Sequence, residues 1–578
     1  MSSSDFAVGS RENPAMIDAD DDEDPSSNLL DGSHENHAMI IESDSEDEEA
    51  PSHDTTRLDA LCEVAEMIRK QNEEKEEKWR LDREASDRRY EERQKIQRKE
   101  AARDYAYSLH SVKIPQKQSK KQEETEEYDE EEEVKRKGES RLQFHEAKKA
   151  IRKRRSSGEN NTSSVGIELN LTEQRKAPTL MELTTRLLAK NSDAIESLNL
   201  VPDHLRTQIS NLASDLGKLD KKFMNLLIED SPSEVYARNC VDLLEEDLTE
   251  ILCGCDGSTL KVLNLNLCGR AMTEHTITEF LNRSPSGFPS LTSLTLQGAF
   301  CLTDNALELV SISAPLLRFI NLSDCSFLSS RAVKILADCF GSTLRGLNIG
   351  GCQGMKPSNA VFKRSLREFS GLSYLSVARL ESVNDGVIEF LVHRGANLTG
   401  LSLASCNDVT DNAIWTIGRY CPKLEALDIS ELYDLTDKSL EYVTDGCRCL
   451  NSVNLTKTRF SDEAVAAFLE VCGGSLDQLC LNNVRDVGQD TAISLAKSCK
   501  RLRYLDLSWC RKLTAEELAR ILNCCSSLES LKLYGWTHVE DEFLEKLSRT
   551  KVRISGLKMT SVFAHLDDTY QSIDAKFC

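Results

Sequence analysis

One phrase, L-x-x-L-x-L, recurs from residue 260 to the C-terminus and constrains the fold more than any other feature of this 578-residue chain. It begins at Leu260, Leu291, Leu317, Leu344, Leu372, Leu398, Leu424, Leu450, Leu476, Leu502 and Leu528, and in degraded form at Ile554. The last eight starting positions are 26 residues apart. A constant period of this length indicates a stack of similar units, in which each unit buries its apolar face against its neighbours.

The repeat phrase predicts a leucine-rich-repeat solenoid over residues 233–578, an α/β fold of the ribonuclease-inhibitor-like horseshoe type. Each unit should form a short strand with its leucines in the core, then a turn, then a helix. Ser or Thr before Asp predicts helix N-caps at Thr303, Thr410, Thr436 and Ser461. Two rows of apolar helix positions should be buried: Ile414, Leu440, Ala466, Ala492, Leu518 and Leu544, and Ile417, Val443, Leu469, Leu495, Ile521 and Leu547.

The cysteines follow the same period. Of 20 in the chain, 19 lie at or after Cys240. One set comes just after the strands (Cys268, Cys325, Cys352, Cys406, Cys510) and another just before them (Cys339, Cys421, Cys447, Cys472, Cys499, Cys525). Periodic placement predicts buried thiols that fill the core. The sequence has no C-x-x-C pair, so neither a zinc site nor another metal site is predicted.

Composition argues against several functional classes. The formal net charge is −24, which opposes general binding to nucleic acid or to an anionic membrane. No apolar run is long enough to span a membrane. The motifs of nucleotide-binding and hydrolytic sites are missing, so the sequence predicts no catalytic site, no cofactor and no enzymatic activity.

Residues 1–55 are acidic and poor in apolar side chains, which predicts disorder. Ile40 and Ile41, followed by an acidic run, resemble a SUMO-interaction motif, which would add a strand to the edge of a partner sheet. The alternative is an acidic, solubilising tail. Residues 56–105 are so rich in Glu, Lys and Arg that a single charged helix is predicted there.

Residues 106–176 are predicted to be disordered and carry basic clusters. The basic residues are Lys135, Arg136, Lys137, Lys148, Lys149, Arg152, Lys153, Arg154 and Arg155. Their pairing resembles a nuclear localisation signal and predicts a nuclear protein, with a cytoplasmic pool also compatible. The alternatives are a solvated charge run and an arm that binds phosphate groups, although direct DNA binding is expected to be weak or absent.

Residues 177–232 have apolar side chains at helical spacing and predict a small helical module. A solenoid needs a cap at its end, and the module should dock on the first repeats.

The strand residues that alternate with the leucines are expected to face solvent on the concave side, where small polar side chains suit a protein partner. At one edge, Arg459, Arg485 and Arg511 occupy the same position in three successive repeats. The predicted partner-binding residues are these arginines together with Tyr374, Tyr433, Tyr504, Trp509, Tyr534 and Trp536. These three arginines should form a column of guanidinium groups that can bind an acidic segment or a phosphate. The alternative is that they pair with the nearby Asp462, Asp486 and Glu516.

The repeats, with cysteines at the strand and helix ends, resemble the cysteine-containing subtype found in F-box proteins and in the antagonist-of-mitotic-exit-network family. The stretch from Thr179 to Leu188 resembles an elongin-binding box, with Thr184 where that box usually has Cys, and Val201-Pro202 resembles the cullin-contacting part of a SOCS-type box. Together with the charged N-terminus, these features resemble the Rad-seven family of nucleotide excision repair.

That resemblance implies a substrate-recognition subunit of a cullin-type ubiquitin ligase in nuclear DNA repair. The implied partners are an elongin-type or Skp-type adaptor, a cullin and a substrate protein. The adaptor would contact Leu180, Thr184, Leu188, Val201 and Pro202. The alternative is a nuclear scaffold or chromatin-associated regulator without a ligase, in which residues 177–232 only cap the solenoid.

Overall fold

The computed structural model describes residues 127–157, 178–393, 397–536, 547 and 550–556. The acidic segment 1–55, with Ile40 and Ile41, and the charged segment 56–105 lie outside the described residues.

The described repeats form one parallel sheet in which every strand pairs with the strands of the preceding and following repeats. Its strands are β1 Glu234–Ala237, β2 Val262–Leu265, β3 Ser293–Thr295, β4 Phe319–Asn321, β5 Gly346–Asn348, β6 Tyr374–Ser376, β7 Gly400–Ser402, β8 Ala426–Asp428, β9 Ser452–Asn454, β10 Gln478–Cys480, β11 Tyr504–Asp506, β12 Ser530–Lys532 and β13 Arg553–Ser555. The strand order equals the chain order, as expected for an open solenoid.

The helices lie between the strands along the chain, after four that precede the sheet. Those four are α1 Glu127–Ser157, α2 Leu180–Lys190, α3 Asp203–Asp215 and α4 Lys221–Ile228, with a 3₁₀ turn at Ser192–Ala194. The helices of the repeats are α5 Glu245–Gly254, α6 Glu274–Arg283, α7 Asp304–Ser313, α8 Ser330–Phe340, α9 Ala360–Glu368, α10 Asp385–Val392, α11 Asp411–Tyr420, α12 Asp437–Gly446, α13 Asp462–Cys472, α14 Gln489–Ser498 and α15 Ala515–Cys524. The predicted α/β solenoid is confirmed.

The core follows the leucine phrase. Residues at the same repeat position pair in register, for example Leu401 with Leu427 and Leu427 with Val453, and all three are buried. The described members of both predicted helix rows are also buried, from Ile414 to Leu518 and from Ile417 to Leu547. Leu544 lies outside the described side chains.

A residue with a left-handed backbone conformation (positive φ) follows each strand of the repeats. It stands seven residues after the first leucine in all eleven full phrases, at Leu267, Gly298, Asp324, Gly351, Arg379, Ser405, Glu431, Lys457, Asn483, Trp509 and Gly535. Gly351 has φ +71°, and a Cβ built there would lie 2.2 Å from Asp324 Oδ1. Non-glycine residues adopt this backbone angle in other repeats, but at Gly351 an added Cβ would also displace the Asp324 side chain, so glycine fits best there.

The predicted caps are confirmed, and they form part of a ladder between repeats. The side chains of Thr303, Thr410, Thr436 and Ser461 each accept a hydrogen bond from a backbone N–H in the first turn of their helix. The aspartate that follows the cap serves the next repeat. Asp411 accepts from the Thr436 N–H at 2.9 Å, from the Thr436 hydroxyl at 2.6 Å and from the Ser439 hydroxyl.

The cysteines after the strands are buried as predicted, and the thiols of four of the five donate to the preceding repeat. Cys325, Cys352, Cys406 and Cys510 lie 3.0–3.3 Å from the carbonyl oxygens of Leu296, Leu322, Val377 and Leu481. Burial raises the pKa of the Cys406 thiol to about 12, so it stays protonated as this donor role requires. In the second set the prediction is wrong for Cys339, which is exposed at the end of α8, and Cys472 is only half-buried.

The predicted helical module precedes the first strand. Helix α3 packs on β1, where Ile209 and Ala213 are buried, and α4 contributes Phe223, Met224 and Leu227 to the same core. The buried guanidinium of Arg206 joins the segments, since it donates to the carbonyls of Val201 and Glu229 at 2.8 and 2.6 Å. Because β1 is the first strand of the common sheet, α3 and α4 cap the N-terminal end of the solenoid.

The expectation of disorder over 106–176 is wrong for residues 127–157, which form helix α1. Its C-terminal half docks on α12 and α13. Phe144, Ala147 and Ile151 lie on one face at helical spacing and are buried there, so tertiary packing stabilises a segment whose local composition is strongly polar.

Candidate functional site

Helix α2 exposes most of its apolar side chains. The exposed fractions are 77% for Leu180, 55% for Met181, 49% for Leu183, 61% for Leu187 and 42% for Leu188. A helix that served only as a cap would bury these residues, whereas a binding helix leaves them in solvent.

The other face of α2 fixes the helix to the cap. Thr185 and Ala189 are buried, and α2 packs against α3. The helix is also locally well formed, because Thr179 and Glu182 form a reciprocal capping box with each other. The Thr184 hydroxyl donates to the carbonyl of Leu180 at 2.9 Å, so this side chain is hydrogen-bonded within its own helix.

Val201 and Pro202 lie between α2 and α3. Val201 packs partly against the core and Pro202 is exposed, directly before α3 begins at Asp203. Leu200 next to them is 93% exposed with φ +64°, a backbone angle uncommon for leucine. We define the adaptor patch as Leu180, Met181, Leu183, Leu187 and Leu188.

The concave face is more closed than the sequence predicts. Tyr374 is 1% exposed and packs with Ala426, and Tyr504 is 8% exposed. The expectation that these two tyrosines face solvent on the concave side is wrong. Ser376 and Ser402, the last residues of β6 and β7, are also buried, because tightly spaced parallel strands bring side chains of neighbouring repeats over one another.

The edge where strands lead into helices stays open in the C-terminal repeats. Arg485, Trp509 and Arg511 are exposed, and Tyr433 and Arg459 are partly exposed. The Arg459 guanidinium lies 5.8 Å from the centre of the Tyr433 ring, and that of Arg511 lies 5.7 Å from Trp509. We call these five residues the edge patch. It combines planar cations with aromatic faces, a chemistry suited to acidic segments.

Two of the acidic residues expected to neutralise the arginines of this edge, Asp486 and Asp462, have other partners. Asp486 pairs with Lys512 at 2.5 Å, and Asp462 accepts from the backbone N–H groups of Gly488 and Thr491.

Two further predicted partner-binding residues lie beyond the edge patch. Trp536 is 5% exposed and donates its indole N–H to the Leu507 carbonyl at 2.9 Å, so its ring is not at the surface, as a partner-binding residue would require. Tyr534 is partly exposed.

An apolar stretch of the same edge, near the first repeats, was missed by sequence reasoning. Leu267, Phe300 and Phe327 are 43%, 41% and 65% exposed. Phe300 rests on Gly269, where an added Cβ would lie 2.7 Å from Phe300 Cε1. The available signal was that Phe300 occupies the repeat position that holds arginine in the later repeats.

The basic cluster of α1 meets acidic side chains of the repeat helices. Arg152 pairs with Glu463 at 2.8 Å and Lys148 with Asp437 at 3.8 Å. The other contacts join His145 to Glu441, Arg154 to Glu470, and Arg155 to Asp490 and Asp462. Burial raises the pKa of Asp490, although the hydrogen bond from Arg155 opposes this effect. Lys135, Arg136 and Lys137 lie earlier in the same helix.

No group of three or more His, Cys, Asp or Glu side chains within the described ranges is placed to hold a metal ion. No helix in the same ranges is long and apolar enough to cross a membrane.

Comparisons with solved structures show what this chain is similar to. A yeast Rad7 structure, solved as a complex of Rad7 and Elc1, matches with a TM-score of 0.52 and 20% identity over 65% of this chain and 92% of that chain. The leucine-rich-repeat protein LegL7 from Legionella pneumophila matches with a TM-score of 0.33 and 17% identity, over 50% of this chain and 98% of its own. An internalin, inlF, from Listeria monocytogenes matches with a TM-score of 0.31 and 17% identity, over 60% and 86%.

The chain has a leucine-rich-repeat fold. No protein-family model matches its sequence. No curated protein matches it significantly either.

Proposed function

We propose that this protein is a substrate-recognition subunit of a cullin-type ubiquitin ligase. The observation that carries the proposal is the exposed adaptor patch on α2, five apolar side chains on a helix that the cap anchors through its opposite face. An apolar helix face held in solvent by a rigid support suits a helix-in-groove contact with an adaptor. The likeness to Rad7, a chain solved with a partner protein, supports the same assignment.

In this proposal the two ends of the molecule have separate tasks. The adaptor patch binds an elongin-type or Skp-type adaptor and, through it, a cullin, while the edge patch binds the substrate. Ubiquitin transfer then depends on proximity, because the receptor holds the substrate near a ligase that supplies the chemistry. Nuclear location and a role in DNA repair belong to the same proposal; they follow from the resemblance to the Rad-seven family and from the basic cluster.

The edge patch favours an acidic substrate segment. Its guanidiniums can form paired hydrogen bonds with carboxylates or phosphates, and its rings supply apolar contact area. Tyr374 and Tyr504 of the concave face are buried, whereas Arg485, Trp509 and Arg511 of the edge patch are exposed.

The test is binding of a purified elongin-type adaptor to the full chain and to Leu180→Asp, measured by calorimetry. An apolar anchor at the centre of an interface contributes about 2 kcal/mol or more, which corresponds to about thirty-fold in affinity. We expect Leu180→Asp to lose at least that much without a change in its circular dichroism spectrum. Ile312→Asp is the matched control, since Ile312 is 69% exposed on α7, away from α2 in the chain, and should bind like the parent.

A Skp-type adaptor is measured in parallel. If the parent binds neither adaptor, the ligase assignment is wrong and the scaffold alternative replaces it. If Leu180→Asp and Ile312→Asp bind equally well, the adaptor uses another surface.

A further inference from the structure

The C-terminal half of α1 is a basic amphipathic helix seated in an acidic groove. Its apolar side chains are anchors, since Phe144 is 1% and Ile151 0% exposed. The groove lies on α12, α13 and the start of α14, and its carboxylates are Asp437, Glu441, Asp462, Glu463, Glu470 and Asp490. We call this surface the acidic groove.

With α1 docked, three carboxylates of the acidic groove are largely enclosed. Asp490 is 2% exposed, Glu470 9% and Glu463 14%. Buried carboxylates are costly unless cations compensate them, and Arg152, Arg154 and Arg155 do so.

The seated helix carries an unusually dense cationic run. Residues 148–155 read KKAIRKRR, six cations in eight residues. Four of them, Lys148, Arg152, Arg154 and Arg155, are engaged by the acidic groove, while Lys149 and Lys153 are exposed. Such a run has the charge density to bind a nucleic-acid backbone, which requires several cations to neutralise successive phosphates.

Each groove carboxylate offsets the charge of its guanidinium and occupies N–H donors that a phosphate would use, so a docked arginine binds phosphate more weakly than a released one. We propose that residues 148–155 are a nucleic-acid-binding segment that the acidic groove holds inactive in cis. The carboxylates of the acidic groove pair with the cations that phosphates would otherwise bind, and the buried Phe144 and Ile151 side chains hold the segment in the groove. Nucleic acid and groove therefore compete for the same four cations.

The competition has a measurable size. When a binding-competent state is only a small fraction of the population, the apparent affinity falls by that fraction. Releasing the helix should therefore raise affinity for nucleic acid tenfold or more. Four additional phosphate contacts should also steepen the dependence of log K on log salt by roughly 3 to 4 units, because each contact contributes about 0.9.

The experiment uses the full chain and the variant Phe144→Asp, which removes an anchor and leaves every cation in place. Binding of a short fluorescent duplex DNA is measured over a range of salt concentrations, and hydrogen exchange of amides 142–157 reports docking. We expect Phe144→Asp to lose amide protection at least tenfold, to bind more tightly and to show the steeper slope. Leu142→Asp, on the same helix but 57% exposed, is the matched control and should behave like the parent.

A second variant assigns the gain to the released cations. Adding Arg154→Ala and Arg155→Ala to Phe144→Asp should abolish most of the increase in affinity. If Phe144→Asp exposes the amides but leaves DNA affinity and salt slope unchanged, the released segment does not bind nucleic acid and the proposal is wrong, leaving binding to a protein import receptor as the remaining use of the cluster. If amide protection is unchanged, the groove does not hold the helix and the proposal is also wrong.

Discussion

Replacing Asp411 by Ala tests whether the ladder of aspartates holds neighbouring repeats together. Asp411 begins α11, yet its carboxylate accepts hydrogen bonds from the following repeat, from the N–H and hydroxyl of Thr436 and from the hydroxyl of Ser439. The substitution leaves α11 with its own cap, Thr410, so the damage should fall on the contact between two repeats.

The expected loss can be worked from these three contacts. A hydrogen bond to a charged group contributes about 1.5–3 kcal/mol, and a polar group left without its partner costs about 1–3 kcal/mol. The contributions are not additive, because the two hydroxyls can rotate toward other acceptors, whereas the Thr436 N–H has a fixed direction. We therefore expect Asp411→Ala to lower the free energy of unfolding by about 2–4 kcal/mol.

Urea unfolding followed by circular dichroism measures the loss in the free energy of unfolding. Hydrogen exchange at the amides of Thr436 and Ser439 shows whether the loss arises at this contact between repeats. The control is Asp338→Ala, since Asp338 pairs with Lys334 at 3.2 Å with both side chains about 60% exposed, and such pairs contribute less than about 1 kcal/mol. If Asp411→Ala shifts stability no more than Asp338→Ala does, the ladder is not what couples the repeats.

Three other substitutions or reactions test separate parts of the fold. Gly351→Ala should destabilise by about 2 kcal/mol or more, because it places a Cβ at positive φ against a neighbouring carboxylate, whereas Gly474→Ala, with open space around it, should change the melting temperature little. Thiol labelling followed by peptide mapping should modify exposed Cys449 in the native protein and Cys447 only after unfolding, since burial raises the pKa of Cys447 and the thiolate is the reactive form; equal labelling rates would refute the burial argument. Trp536→Phe should cost about 1 kcal/mol or more in chemical denaturation, because a buried carbonyl loses its indole donor, and an unchanged midpoint would show that this bond is dispensable.

The repeat period alone was enough to predict the solenoid. A constant 26-residue period with leucines at fixed positions has few ways to bury those leucines, so strand order, helix rows and caps such as Thr410 and Thr436 could be predicted from local rules. The exposed helix at Leu180 was also within reach, although sequence spacing could not decide which face the cap would cover.

Tertiary structure decided the rest, because these features depend on contacts between repeats or between distant segments. Tyr374 and Trp536 were expected at the surface, yet the close stacking of neighbouring repeats buries them. The composition of residues 127–157 predicts disorder, since their mean hydropathy is low. The C-terminal half of this helix is stabilised by docking on the acidic groove, which lies about 300 residues later in the chain. Arg154 pairs with Glu470, 316 residues later in the chain, and Arg155 pairs with Asp490, 335 residues later. No local sequence pattern predicts contacts at such separations.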